Sequence, residues 1–230
     1  MSRILVTGFG PFPGVKDNPS AALMTALRAR RGHFELLSIH LETHILPVVY
    51  HGLAARLAAL TVGTAPDAIL HFGVASRRKI ISVETRARNH ANCAAPDAQG
   101  DRPPSDMLDG KSEESLAVRI PAAGIAARIR AARIAAETSR DAGAYLCNAT
   151  FYETLRSRKN LPAGFIHVPL PAGPINASQV SFDQIVEAAE IAIVALVLHV
   201  RQVNSPATSP PDNTHKSAST RVIRRAKAVA

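Results

Sequence analysis

Residues 3–31 read RILVTGFGPFPGVKDNPSAALMTALRARR, and this stretch decides the fold class. Ile4 to Thr7 is a continuous apolar run of the length of a fully buried strand. It gives way to a glycine- and proline-rich loop, GFGPFPG, that interrupts regular structure. Asn18 then stands as an N-cap and Pro19 as a first helical position, and an Ala/Leu/Arg stretch of helical period runs on to about Arg31. A buried strand feeding a helix through a glycine loop is the repeating unit of α/β proteins.

Outward from there the same alternation continues. Phe34 to Leu41 is expected as a strand, Pro47 to Leu60 as a helix and Ala68 to Gly73 as a third, buried strand. Ile80 to Arg88 reads as a strand, followed from Asn89 to Ser115 by a polar stretch too long for an ordinary connection. Helices are expected over Pro121–Ala131, Leu146–Arg158 and Ser178–Val200, and strands over Ile134–Ser139 and Gly164–Leu170. The sum is a three-layer α/β/α sandwich with a mainly parallel sheet.

Composition agrees. Of 230 residues 47% are hydrophobic and 20% charged, enough to bury a core without disulfides or metal, which excludes wholesale disorder. Aromatic residues are only 4% and Trp is absent, which argues against an all-β fold. The net charge of +9 suggests a polyanion partner until its distribution is examined, since residues 201–230 carry +5 of it. That stretch is Ser/Thr/Pro-rich and poor in large apolar groups, so a catalytic domain over 1–202 with a disordered basic tail over 203–230 is expected. Cys93 and Cys147 make no disulfide framework, and MSRILVTGFG lacks a secretory apolar stretch, so a cytoplasmic setting is expected. The most apolar run, Ile191 to Val200, is too short to span a bilayer, and neither a membrane nor a specific nucleic-acid partner is expected.

In open α/β sheets ligands bind outside the carboxyl ends of the strands. Three chemically able side chains are assigned to such places: Glu84 in ISVETRARN, Cys147 after IAAETS and its turn, and His167 in GFIHVP. Thiol, imidazole and carboxylate are the parts of a cysteine-nucleophile triad, and a helix start at Cys147 favours its thiolate. The bland reading stays open at this point: a buried Cys acting as a small hydrophobe and a His satisfied within a strand.

Taken together and in order, VTGFGPFPG with NPS, VETRARN, RDAGAYLCNATFY and AGFIHVPLP resemble the pyroglutamyl peptidase I family over residues 3–200. The resemblance implies a cysteine peptidase of phosphorylase- or hydrolase-like α/β fold, without metal or cofactor, often a homotetramer. It would cleave the amide bond after an N-terminal pyroglutamyl residue through a thioacyl-enzyme. It carries the nucleophile onto Cys147, the general base onto His167 and the third member onto Glu84. By the same likeness Phe9 and Phe12 wall the lactam ring, with Tyr145 and Leu146 as further wall candidates. Recognition of a small, flat, uncharged ring calls for apolar walls and a few backbone hydrogen bonds, and oxyanion donors are expected at the start of the Cys147 helix.

The chain departs from the family pattern in three places. GVASRRK stands where a glycine-rich stretch is usual, Ala94 where many members have an arginine, and Pro13 where a glycine is usual. These leave a competing expectation of a weak or inactive member that binds peptides or polyanions. Other constellations carry less. His40, Glu42 and His44 lack HExxH spacing, His90 and Cys93 lack a second ligand pair, and GFGPFPG lacks the Lys-Ser/Thr of a phosphate loop. Arg77, Arg78 and Lys79 read as a solvated edge.

Overall fold

The computed structural model describes residues 1–172 and 180–204. Its main sheet contains β1 (Ser2–Phe9), β2 (Ile39–Leu46), β3 (Ala68–Val74), β4 (Ile81–Glu84), β7 (Ala136–Ser139) and β8 (Ala163–Val168) in the order β2-β1-β3-β8-β4-β7. Every neighbouring pair is parallel except β4 and β8, which run antiparallel. The other two strands, β5 (Arg86–Arg88) and β6 (Ser115–Ala117), form a separate antiparallel pair. The helices are α1 (Pro19–Ala29), α2 (Arg31–Leu36), α3 (Leu53–Thr64), α4 (Ala122–Ala131), α5 (Leu146–Ser157) and α6 (Phe182–Asn204).

Successive strand residues point to opposite faces, and here the two faces differ in chemistry. Ile4 and Val6 of β1, Leu70 and Phe72 of β3, Ile166 and Val168 of β8, and Ile81 and Val83 of β4 form one core with residues of α1, α4 and α6. The opposite face, covered by α3 and α5, carries Leu5 and Phe9 but also the buried polar side chains Thr7, His71, Ser82, Glu84 and His167. These buried polar side chains therefore share one face of the sheet. Helix α5 is anchored at its far end by Arg119, whose guanidinium donates to the carbonyls of Leu155, Arg158 and Leu161. The start of α5 has no side-chain cap.

His71 ties the same layer together. Its Nδ1 is 2.7 Å from Thr7 Oγ1 and its Nε2 3.0 Å from Thr154 Oγ1 on α5. Burial lowers its pKa to about 3, so the folded protein holds the ring neutral. An unfolded histidine takes a proton near pH 6.5, so this contribution to stability is complete above that value and is lost as pH falls toward 3. Urea unfolding between pH 7 and 4 is expected to show that loss, and His71→Gln to flatten the dependence while lowering stability at pH 7. An equally steep variant would assign the loss to other groups.

Several boundaries differ from the sequence reading. The strand expected from Phe34 begins at Ile39, because Phe34 fills the core from α2 and a left-handed Ser38 (φ 57°) turns the chain into β2. The helix expected from Pro47 begins at Leu53 after a left-handed Gly52 and runs to Thr64. Ile80 to Arg88 is two strands in two sheets, and the long polar stretch closes back on itself through the β5–β6 pair. The closing helix begins at Phe182 and continues to Asn204, which takes in the first residues of the expected tail. The expected helix start at Ser178 and the remainder of the tail, 205–230, lie outside the described residues. Among the described residues no helix is long and apolar enough to cross a membrane.

Candidate active site

A cavity of about 450 Å³ opens beside the ends of β1, β3 and β8 and the start of α5. Cys147 and His167 both line it, as do Phe9, Phe12, Tyr145 and Leu146. His167 Nδ1 is 2.8 Å from Glu84 Oε1, so the carboxylate fixes that nitrogen as the protonated one and leaves Nε2 as the free base position. Cys147 is placed in the first turn of α5, and its Sγ comes so close to Gly73 that a Cβ there would stand 2.7 Å from the sulfur. Gly73 is the register partner of His167 across β3 and β8. The missing side chain is thus the space in which the thiol sits beside the histidine strand.

Glu84 reaches this site in an unexpected way. Its strand runs antiparallel to β8, with Ser82 opposite His167, so Glu84 approaches the ring diagonally across the sheet face rather than from a shared carboxyl edge. The side chain is fully buried. Burial pushes the Glu84 pKa up, but the hydrogen bond and charge of His167, with smaller pulls from Ser139 and the Arg78 guanidinium, outweigh it and lower the carboxyl's pKa. For His167 burial dominates over the Glu84 contact and lowers its pKa, so the ring is neutral at neutral pH.

The thiol corrects a second expectation. Burial pushes Cys147 up to about 12 and the Glu84 charge adds to this, against the smaller pull of its own backbone N–H and of Arg78. The helix start does not by itself maintain a thiolate, because the surrounding apolar packing costs the anion more than the first-turn amides return.

The aromatic wall is layered. Phe12 packs on Tyr145 at 5.8 Å between ring centroids, and Tyr145 meets Tyr50 edge-on at 6.0 Å. Phe9, 2% exposed, packs on Phe165 behind the cavity. Tyr145 donates to the Pro96 carbonyl and Asn92 N–H to the Ala144 carbonyl, which fastens the polar loop to the start of α5. Asn18 caps α1 through Ser20 N–H and also donates to the Gly10 carbonyl, holding the GFGPFPG loop over the site.

Sequence reasoning missed three residues here. Gly73 appeared only as a strand end, and Asn148 only as part of a motif, although its side chain holds β5 to α5 through Arg88 N–H and the Arg88 and His90 carbonyls. Arg78 was read as a solvated edge with its neighbours. Arg77 and Lys79 are exposed, but Arg78 Nη1 lies 2.6 Å from Glu84 Oε1. Its distance in sequence from the carboxylate gave no periodic signal. Of the three departures from the family pattern, Pro13 and Ala94 do not line the cavity, whereas Arg77 and Arg78 of GVASRRK do.

The remaining constellations lie elsewhere. On β2, Glu42 contacts both His40 (3.4 Å) and His44 (3.6 Å). His90 lies against the Asp106 carbonyl, and the Asp106 carboxyl beside Cys93 holds that thiol above its ordinary value. Among the described residues no group of three or more His, Cys, Asp or Glu is placed to hold a metal ion.

Comparison with known proteins matches this architecture. The sequence profile of pyroglutamyl peptidase covers residues 2–199. The pyrrolidone-carboxylate peptidase of Thermococcus onnurineus is 33% identical over 171 residues, 73% of this chain and 83% of that one. That of Treponema denticola is 30% identical over 207 residues, 85% and 93%. The crystal structure of pyroglutamyl peptidase I from Bacillus amyloliquefaciens superposes with a TM-score of 0.76 at 28% identity, covering 87% of this chain and 98% of that one. A mutant pyrrolidone carboxyl peptidase from Pyrococcus furiosus gives 0.76 at 29%, covering 86% and 99%. With its mainly parallel six-stranded sheet flanked by helices, and a family profile spanning nearly all its described residues, the chain belongs to the pyroglutamyl peptidase I family.

Proposed function

We propose that this chain is a cysteine exopeptidase that hydrolyses the amide bond after an N-terminal pyroglutamyl residue. The observation that carries the proposal is the meeting of Cys147 and His167 in one cavity walled by Phe9 and Phe12, with Glu84 behind the ring.

The reaction follows from the charge states. Because thiol and imidazole are both neutral at rest, His167 Nε2 takes the Cys147 proton as Sγ bonds to the pyroglutamyl carbonyl carbon. Glu84 stabilises the imidazolium so formed. The oxyanion meets the start of α5, where Ala149 N–H is bonded to the Tyr145 carbonyl and the preceding amides precede the regular helix bonding. Collapse breaks the C–N bond, and the imidazolium gives its proton to the leaving amine. Water then attacks the thioester, losing a proton to His167, and the departing thiolate regains one. The substrate has no ammonium to be gripped, which suits a cavity of apolar and aromatic walls. A catalytic unit ending with α6, self-association as a dimer or tetramer and a cytoplasmic setting belong to the same proposal.

Release of a fluorophore from a pyroglutamyl amide, with unblocked aminoacyl amides as controls, tests this directly. Turnover confined to the pyroglutamyl amide is expected, and binding without turnover would overturn it. Iodoacetamide is expected to abolish that activity by alkylating Cys147. Cys93→Ser is expected to remain active and sensitive, since Cys147 lines the cavity and Cys93 does not. Mass spectrometry of the alkylated peptide identifies the site.

A further inference from the structure

We propose that Arg78 is a positioning residue of this site: its guanidinium locks the Glu84 carboxylate against the His167 ring by tying it to the end of β7. The proposal rests on the triad described above and adds a fourth member to it.

Two nitrogen donors converge on one oxygen of Glu84. Oε1 takes His167 Nδ1 at 2.8 Å and Arg78 Nη1 at 2.6 Å, while the buried Oε2 has no partner among the described residues. A carboxylate held only by a neutral imidazole is free to turn about its last torsion and to offer either oxygen. The second donor on the same oxygen removes that freedom. Arg78 is itself fixed from the other side: Nη2 donates to Ser139 Oγ at 3.2 Å and to the Asp141 carbonyl at 2.5 Å. The planar fork therefore spans from β4 to the chain leaving β7, a geometry that the single point charge of a lysine does not reproduce.

The charge matters as much as the shape. Glu84 is fully buried, and a buried carboxylate stays ionised only with a compensating partner. The groups facing it are His167 from β8, Ser139 from β7, Arg78 from the loop after β3 and Cys147 from α5, with Asp141 reaching His167 from the loop after β7. Of these, Arg78 alone is a permanent cation. The Asp141 carboxylate is exposed and pairs with Arg88 at 3.5 Å. Removal of Arg78 raises the pKa of both Glu84 and His167, since its charge lowers each.

Arg78→Gln and Arg78→Lys, with Ser139→Ala as the mild variant, are to be assayed on a pyroglutamyl amide from roughly pH 5 to 9 alongside thermal melts. Arg78→Gln is expected to lower kcat about 10- to 100-fold with KM nearly unchanged. It is also expected to move the acid limb of kcat/KM up by about one pH unit. Arg78→Lys is expected to restore the limb but not kcat, because it returns the charge without the fork. Ser139→Ala, which loosens one anchor and keeps the charge, is expected to lower kcat severalfold and leave the limb in place. A limb unmoved in Arg78→Gln, or kcat losses that track melting temperature alone across the three variants, would overturn the proposal. Titration of the His167 ring by NMR in wild type and Arg78→Gln separates this outcome from failure of the substrate reading. A raised His167 pKa in an enzyme inert toward pyroglutamyl amides sustains the Arg78 role and sinks the proposed substrate, whereas an unchanged pKa sinks the Arg78 role whatever the substrate.

Discussion

Cys147→Ala is expected to reduce pyroglutamyl amide hydrolysis by about 10⁴-fold or more in kcat, to the level of the uncatalysed background. In the proposed mechanism the Cys147 sulfur forms the bond to the substrate carbonyl, and it shares the cavity with His167, whose ring is held by Glu84. Stability should hardly move. The thiol is only partly buried, and deleting a single sulfur from the edge of that apolar cluster costs on the order of 1 kcal/mol. Cys147→Ser should fall nearly as far, because a neutral imidazole at the foot of a raised thiol pKa is still less able to deprotonate a hydroxyl. Steady-state kinetics with a melting curve for each variant is sufficient. More than a hundredth of wild-type kcat in Cys147→Ala would end the thioacyl mechanism.

Gly73→Ala is expected to cost about 10²-fold in kcat at little change in KM. Its Cβ would stand 2.7 Å from Cys147 Sγ and 2.8 Å from Phe165 Cζ, closer than real carbon atoms approach, so the sulfur must turn away from His167 or the sheet must yield. Overpacking of this kind also lowers stability, typically by about 1 to 3 kcal/mol. Gly164→Ala supplies the control. On the neighbouring strand its Cβ would collide with Ile120 on the other face, away from the thiol. It should therefore lose stability while retaining most of its kcat. If both variants lose kcat in proportion to stability, the close approach at Gly73 has no special place in the chemistry.

Much of this architecture was legible because it rests on local rules. The β1–loop–α1 unit needed only an apolar run, a glycine loop and Asn18 with Pro19, and the structure places the cap where they predicted it. The failures fall where tertiary packing overrides local pattern. Phe34 is apolar enough for a strand, but it serves the core equally well from a short helix, and periodicity over so few residues does not distinguish the two. Ile80 to Arg88 looks continuous because β-propensity does not record which sheet a residue joins.

At the site the division is sharper. The sequence by itself determined the chemical inventory, thiol, imidazole and carboxylate in distinct motif blocks, and the alternation of buried strands with helices that makes an α/β fold. Only the tertiary structure decided that Glu84 arrives on an antiparallel strand, that Gly73 leaves room for the sulfur and that Arg78 clamps the carboxylate. It alone decided that burial pushes the Cys147 thiol above its ordinary value. The physical reason is common to all four: contact and desolvation depend on which distant segments share a buried volume, and neither a residue's type nor its spacing along the chain carries that information.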